Sequence, residues 1–333
     1  MAAQNGNTKI AREYRAKYPD FPTKKLARVM YAENALSFID EEKARSCLRY
    51  IEGKSGIRHR RLNTVKESEF LKTESRPYNP YNLPQSYQEK REPLACNNIL
   101  LISDLHIPYH DIDAITIALS YGKEHKVNTI FINGDLIDNS QVSRFEKDMK
   151  KRSVKQEFDA TKEFLVQLRN LFPVASIYWL KGNHCIRWEK FLEQKVREIW
   201  DDSYFHLEER LQLNEQKIQI LDDTVLVKAG KLSITHGHHI FKGIFVPVSP
   251  ARGAFLRAKQ SVIVGHLHRA SFHPETDLDG NVIGCWSTGC LCELRPAYSP
   301  LVSNSQHGFA HILVESSGDF TVRNYQIING KLH

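Results

Sequence analysis

Five short apolar runs in the second part of the chain each end in polar side chains of the types that bind metal ions. The donors are carboxylates, an amide and imidazoles: Asp104, His106, Asp135, Asn183, His236, His266 and His268. Oxygen donors combined with neutral imidazole suit divalent ions such as Mn, Fe(II) or Zn. Seven donors are too many for one ion but fit two ions if one carboxylate bridges them, and Asp135 is the natural bridge. We therefore predict two divalent cations, with Mn expected and Fe, Zn, Ni or Mg as alternatives.

The five apolar runs predict the strands that would position these donors. They are rich in β-branched residues and read NILLIS, TIFIN, SIYWL, KLSIT and SVIVG. Amphipathic helices are predicted between some of them, at residues 155–172 and 188–200, and a hairpin is predicted near the C-terminus. Strands alternating with helices indicate an α/β domain, in which ligands gather at the carboxyl ends of the strands. Five such endings would converge on one cleft.

The order of the motifs resembles the calcineurin-like metallophosphoesterase superfamily over residues 99–268. The motifs are Asp-x-His, Gly-Asp-x-x-Asp, Gly-Asn-His, His-Gly-His and Gly-His-x-His. The resemblance implies a two-sheet αββα sandwich with two metal ions. It places Asp104, His106 and His268 at the first metal, Asn183, His236 and His266 at the second, and Asp135 at both. It also implies that His184 is the catalytic histidine that binds no metal and either stabilises the phosphoryl transition state or protonates the leaving oxygen.

Two positions depart from the Ser/Thr protein phosphatases of this superfamily. Those enzymes follow Gly-Asp-x-x-Asp with Arg-Gly, where this chain has Asn139 and Ser140, and they place an acid where this chain has Cys185. Both differences weaken an assignment as a protein phosphatase and leave the phosphodiesterase and nuclease branches open.

Two further residues are candidates for substrate binding. Arg187 follows His184 closely and is predicted to hold a substrate phosphate bidentately, although pairing with a helix carboxylate is an equally good interpretation. His238 is predicted to contact substrate rather than metal.

The N-terminal part of the chain has a different character. Residues 1–55 are predicted to form a small helical domain, with Thr23 and Asp40 as N-caps of its second and third helices. Residues 56–96, which contain four prolines, are predicted to be a linker, and residues 97–333 the catalytic domain. The helices resemble a helix-turn-helix module, and the alternative is a docking or oligomerisation domain. The basic run KSGIRHRR at residues 54–61 favours nucleic acid as the partner.

Composition and charge set the remaining expectations. The chain has 333 residues, of which 41% are hydrophobic and 26% are charged, as in an ordinary globular protein. The net charge is +7, and residues 1–75 carry 16 Lys and Arg against 10 Asp and Glu, which suits a polyanionic partner. The absence of a signal-like or membrane-spanning run, together with six dispersed cysteines, predicts a cytoplasmic protein that does not bind membranes. Oligomeric state is not indicated.

Three functions follow from these features. We expect a phosphodiesterase or nuclease that cleaves nucleic acid by in-line attack of a hydroxide bridging the two metals. The first alternative is a phosphomonoesterase acting on a protein, a nucleotide or a small molecule. The second alternative, of another class, is a nucleic-acid-binding or assembly protein whose catalytic domain has become inactive. This alternative is disfavoured because none of the seven predicted metal-ligand positions carries a substitution.

Overall fold

The computed structural model describes residues 6–55, 90–143, 153–242, 248–295 and 304–333. The chain divides into two compact units, one ending at Ser86 and the other beginning at Tyr87. Residues 56–89 of the predicted linker lie outside the described residues, as does the part of the basic run from residue 56 onward. Within 90–96, Arg91–Pro93 forms a short strand.

Residues 6–55 of the first unit form a bundle of three helices, which confirms the predicted helical region. The helices are α1 (Gly6–Lys17), α2 (Thr23–Glu33) and α3 (Glu41–Ile51). Their core contains the fully buried side chains of Leu26, Met30 and Leu48. Helical spacing in α2 and α3 places these residues on the faces that meet, so burial of one small apolar core holds the bundle together.

One predicted helix cap is right and the other is wrong. Asp40 caps α3, because its carboxylate accepts a hydrogen bond of 2.6 Å from the Lys43 amide. Thr23 does not cap α2: Pro22 occupies the cap position, and the Thr23 hydroxyl donates to Glu52 at 2.9 Å. Glu52 also pairs with Arg15, so this carboxylate ties the end of α3 to the other two helices. The connection from α2 to α3 spans residues 34–40, longer than the three or four residues usual in a helix-turn-helix.

The described residues of the second unit form two sheets. In spatial order the first sheet consists of β1 (Arg91–Pro93), β6 (Leu226–Ala229), β7 (Leu232–Ile234), β8 (Val262–Val264), β10 (Val282–Ser287) and β9 (Ser271–Thr276). The second sheet consists of β13 (Lys331–Leu332), β12 (Phe320–Ile328), β11 (His307–Val314), β2 (Asn98–Ile102), β3 (Thr129–Asn133), β4 (Ser176–Leu180) and β5 (Ile218–Leu221). The β11–β12 pair is the predicted C-terminal hairpin.

Helices cover the outer faces of both sheets, which confirms the αββα sandwich. The helices are α4 (Ile112–Glu124), α5 (Val154–Leu171), α6 (Ile186–Lys195), α7 (Leu207–Arg210) and α8 (Pro250–Ala258). Alternate residues of β2 pack on opposite faces of the sheet. Ile99 and Leu101 pack between the two sheets, while Leu100 and Ile102 pack against α4 and α5. On the first sheet, α8 packs Ala251 and Ala254 over β8 and β10.

Element boundaries follow the predicted runs closely. TIFIN and SIYWL match β3 and β4 residue for residue, while the strands within KLSIT and SVIVG are shorter than their runs. The helix predicted for residues 188–200 begins at Ile186 and ends at Lys195, because the backbone of Val196 leaves the helical region; a 3₁₀ turn follows at Arg197–Ile199. Among the described residues, the helices are all too short or too polar to cross a bilayer.

Candidate metal centre

Parallel strands deliver the seven predicted donors to one end of the sandwich. β2, β3 and β4 are parallel neighbours in one sheet, and β7 and β8 are parallel neighbours in the other. Because carboxyl ends of parallel strands share an edge, the segments that follow them meet there. The described donors on these segments are Asp104, His106, Asp135, Asn183, His236, His266 and His268.

The backbone at this edge is strained. Five of the seven donors have a positive φ: Asp104 (56°), His106 (49°), Asp135 (45°), His266 (71°) and His268 (55°). Left-handed backbone at a non-glycine residue costs about 1–3 kcal/mol and persists only where the surroundings enforce it. Such a concentration of strain is typical of functional sites.

Two glycines let the donor segments pack this tightly. A Cβ on Gly182 would lie 2.3 Å from Asp135 Oδ1, and a Cβ on Gly265 would lie 2.0 Å from Ser103 Oγ. Neither distance is compatible with a side chain, so glycine is required for the backbone to approach the carboxylates.

The first group of donors surrounds Asp104. His268 Nε2 lies 3.3 Å from Asp104 Oδ1, and His106 Nε2 lies 3.9 Å from the same oxygen. The two Nε2 atoms are themselves 3.2 Å apart. Three donor atoms therefore point at one small volume, as the predicted first metal requires.

The second group surrounds His236. Its Nε2 lies 3.1 Å from Asp135 Oδ2 and 3.2 Å from Asn183 Oδ1. The nearest ring nitrogen of His266 lies within 4.8 Å of the Asp135 and His236 donors. Asp135 Oδ2 also lies 3.9 Å from His106 Nε2, so this carboxylate reaches both groups, as a bridging ligand must.

The chemistry of this cluster fits divalent cations. Asp104 and Asp135 are almost completely buried, and Asp104 Oδ1 finds no hydrogen-bond partner within the described part of the chain. Burial alone would raise the pKa of both carboxyls, but the neighbouring imidazoles hold the pKa of each below its ordinary value. A buried carboxylate oxygen that lacks a hydrogen-bond donor and faces imidazole nitrogens is well placed to bind a cation.

Asp138 orients two histidines of the site. Its Oδ1 lies 2.8 Å from His106 Nδ1 and 2.8 Å from His184 Nδ1. Each ring therefore donates from Nδ1 and turns its Nε2 lone pair away, as a carboxylate behind a metal-bound histidine does. The sequence contained this residue in Gly-Asp-x-x-Asp, but no role was predicted for it.

His184 and Arg187 form a contacting pair at the same edge. The His184 amide donates to Asp135 Oδ1 at 2.7 Å, and Arg187 Nη2 lies 2.9 Å from His184 Nε2. Arg187 also donates to the Asp138 carbonyl at 3.1 Å, and within residues 153–242 it forms no ion pair with a helix carboxylate. Because a guanidinium can only donate, His184 Nε2 accepts from Arg187, and burial lowers the pKa of the His184 ring.

His238 lies beside the centre, with its ring centroid 5.4 Å from that of His236. Its Nε2 lies 3.1 Å from Asp223 Oδ2, which also lies 2.8 Å from His239 Nε2. Sequence reasoning missed Asp223, although it follows β5 as the other site residues follow their strands. Cys292 was missed as well, and its Sγ lies 3.8 Å from His268 Nδ1.

A family model for the calcineurin-like phosphoesterases matches residues 98–273, just over half of the chain. The chain belongs to this family. Residues 98–273 contain all seven predicted donors and His184, so this calcineurin-like phosphoesterase is a metal-dependent hydrolase of phosphate esters. The family has a dimetal centre, and the clustered Asp and His side chains of this chain are able to bind metal.

Relatives and solved structures also resemble this calcineurin-like phosphoesterase. The gene 54 protein of Mycobacterium phage L5 is 28% identical over 230 residues, which is 65% of this chain and 89% of that protein. The gene 54 protein of Mycobacterium phage D29 is 26% identical over 232 residues, covering 66% and 89%. The solved structure of a single mutant of Vps29 from Entamoeba histolytica aligns with a TM-score of 0.37 and 18% identity, covering 71% of this chain and 96% of that one.

Proposed function

We propose that this phosphoesterase is a phosphodiesterase or nuclease that acts on nucleic acid. The observation that carries the proposal is the presence, on one chain, of the clustered Asp and His donors and of a basic helical unit. Residues 6–55 contain 11 Lys and Arg against 7 Asp and Glu, and the whole chain has a pI near 9.0. A basic unit attracts a polyanion by counterion release, whatever its sequence.

The predicted ligands would hold two divalent ions. One ion would bind Asp104, His106 and His268, the other Asn183, His236 and His266, with Asp135 reaching both. Bound there, two ions of this kind polarise phosphoryl oxygens and lower the pKa of water, so that a nucleophile forms at neutral pH.

His184 and Arg187 act on the substrate in this proposal. In the present arrangement Arg187 occupies the Nε2 side of His184. A phosphate oxygen competes well for a guanidinium, because a charge-assisted bond is stronger than a bond to neutral imidazole. Once Arg187 turns to the phosphate, the unprotonated His184 Nε2 is free to take up a proton from solvent and pass it to the leaving oxygen, while Asp138, which accepts from Nδ1, keeps the ring oriented.

Among the described residues, the pairing of one lysine near the centre favours a diester over a monoester. Lys181 is adjacent to the Gly-Asn-His segment, but its ammonium group lies 2.6 Å from Glu189 and 3.1 Å from Asp222. That charge is neutralised before any substrate binds. A diester carries one negative charge at neutral pH and a monoester nearly two, so neutralisation of Lys181 weakens the binding of a monoester more than the binding of a diester.

The exposed basic residues of α3 are the proposed contacts to nucleic acid. Lys43 and Arg49 are both exposed and lie six residues apart on this helix. Arg45 is less available, since it pairs with Glu42 at 3.1 Å. Contacts from Lys43 and Arg49 would be to phosphates, which give affinity and strong salt dependence rather than sequence preference.

The test is a comparison of substrates with Mn as the added ion. We expect hydrolysis of bis-(p-nitrophenyl) phosphate and of an oligonucleotide, and a loss of at least about 1,000-fold in kcat/KM for Asp135→Ala and about 100-fold for His184→Ala. Asp279→Ala, in an exposed turn, serves as the control and should retain full activity. A large preference for p-nitrophenyl phosphate over both diesters would overturn the proposal in favour of a phosphomonoesterase.

A further inference from the structure

A second group of potential metal donors lies next to the main centre and consists of Asp223, His238 and His239. The Nε2 atoms of both histidines converge on one oxygen, Asp223 Oδ2, at 3.1 and 2.8 Å. The two rings are close, with centroids 4.0 Å apart. One carboxylate and two imidazoles thus present their donor atoms to a single point.

The separations between these donors are close to those in a metal site. Zinc binds imidazole nitrogen and carboxylate oxygen at about 2.0–2.2 Å, which places neighbouring donors of a tetrahedral site roughly 3.3 Å apart. The distances observed here are shorter by a few tenths of an ångström, so a small rotation of the side chains would admit an ion. Three protein ligands also leave one position of a four-coordinate ion open.

Accessibility of the cluster differs from one member to the next. The side chains of Asp223 and His238 are 17% and 11% exposed, whereas that of His239 is 53% exposed. An ion can therefore enter from the His239 side and be held by two largely buried groups. The ring of His238 lies 6.1 Å from that of His266, so a cation held here would border the main centre.

The pair formed by His273 and Glu275 on β9 has a histidine and a carboxylate but, in the described part of the chain, lacks the third donor of the Asp223, His238 and His239 cluster. His273 Nε2 lies 3.1 Å from Glu275 Oε1, a distance equal to that between His238 and Asp223. That pair has no third donor among the described groups of potential metal ligands. Two donors on a surface strand bind an ion weakly, and the third donor is what distinguishes the cluster near the centre.

We propose that Asp223, His238 and His239 form a third divalent-cation site, of a zinc-binding type, beside the two-metal centre. The site is separate from the seven donors of that centre. It adds positive charge at its border and leaves a coordination position for water or for a substrate oxygen.

Zinc titration of the full chain, followed by elemental analysis after gel filtration, tests the third site. We expect three ions per chain for the unaltered protein and two ions per chain for Asp223→Ala and for His239→Ala. His273→Ala is the matched control and should retain three ions. Because His239 is exposed, its variant should fold, and circular dichroism checks that both variants do.

The possible outcomes separate this site from the main centre. Two ions per chain in the unaltered protein, unchanged by Asp223→Ala, would overturn the third site and leave the two-metal centre intact. Three ions that fall to two only in Asp104→Ala would place the extra ion elsewhere and also overturn it. A Co(II) titration provides a second readout, because the third equivalent should give its own absorption change, absent in His239→Ala.

Discussion

The metal centre and the N-terminal helical unit differ in how much backbone strain they contain. At the centre, five donor residues have left-handed backbone, and a buried carboxylate oxygen has no hydrogen-bond partner in the described part of the chain. Within residues 6–55, only Gly53 has a positive φ, and it lies after the end of α3. Glycine adopts this left-handed backbone at little cost. The helical unit is relaxed and the centre is strained.

This difference predicts two kinds of sensitivity to mutation. Strain is tolerated at the centre because packing fixes each donor, so a displacement of about one ångström should lower kcat/KM by about 100-fold or more. A basic surface works through summed charge, so each residue of the helical unit should contribute a modest and nearly additive share.

Substitution of a glycine should separate the two regions most clearly. A Cβ on Gly265 would lie 2.0 Å from Ser103 Oγ and 2.7 Å from Asp104 Oδ2, whereas a Cβ on Gly6 would meet nothing within 4 Å. We expect Gly265→Ala to lower kcat/KM on a diester by about 1,000-fold, because Asp104 must move. Gly6→Ala, the matched control, should stay within about twofold. Retention of activity within threefold by Gly265→Ala would contradict the claim that close packing sets the donor geometry.

Loss of a residue behind the ligands should have a smaller effect. Asp138 accepts hydrogen bonds from both His106 and His184. We expect Asp138→Asn to weaken Mn binding by about 10–100-fold, as is typical when the partner of a ligand histidine is removed. Isothermal titration calorimetry measures this affinity. Asp159→Asn, at an exposed pair with Lys155, should leave the affinity unchanged, and equal affinities for the two variants would refute the role of Asp138.

Removal of basic side chains from the helical unit should weaken DNA binding without changing the hydrolysis of a small substrate. We expect the double variant Lys43→Ala and Arg49→Ala to bind duplex DNA about 10-fold more weakly, with the salt slope reduced by about two, since two phosphate contacts are lost. Its activity on bis-(p-nitrophenyl) phosphate should not change. Fluorescence anisotropy at several salt concentrations gives both quantities. Removal of the exposed Lys217 and Lys331 in the other unit is the charge-matched control, and an equal slope change there would argue against α3.

Two acids with shifted pKa values should make stability depend on pH in opposite directions. Glu157 lies behind the Asn139–Ser140 turn, and burial raises its pKa to about 7. The folded chain therefore keeps a proton that the unfolded chain releases, and stability falls as pH rises from about 4.5 to 7. We expect Glu157→Gln to remove this decline and to raise stability at pH 8 by about 1–2 kcal/mol, measured by urea denaturation.

Glu52, in the helical unit, is the comparison. Burial opposes its ionisation, but Lys54, Thr23 and Arg15 together hold its pKa below the ordinary value. Its stabilising effect is present above the ordinary pKa and is lost as pH falls, so Glu52→Gln should lower stability at neutral pH. The same sign of change in both variants would contradict the electrostatic contrast.

The sequence predicted elements well where local pattern decides them. TIFIN and SIYWL became strands as predicted, because continuous apolar runs suit strands buried on both faces. The seven predicted donors could be chosen from sequence because each follows such a run. Asp40 was identified as a cap because a capping carboxylate acts on the next turn of its own helix.

Contacts between distant segments were not predictable in this way. Thr23 has the right type for a cap, but its hydroxyl pairs with Glu52, 29 residues away. Asp223 follows β5 and contacts His238 and His239, which follow β7. A single Asp after a strand does not by itself indicate such a contact in the sequence. The left-handed backbone of the donors depends on packing between two sheets, which no local pattern describes.

We expect two divalent cations to share Asp135. Crystals grown with Mn, measured at a wavelength where Mn scatters anomalously, test it directly. We expect two anomalous peaks about 3.5–4 Å apart, both within bonding distance of the Asp135 carboxylate. A single peak, or two peaks of which only one contacts Asp135, would contradict it.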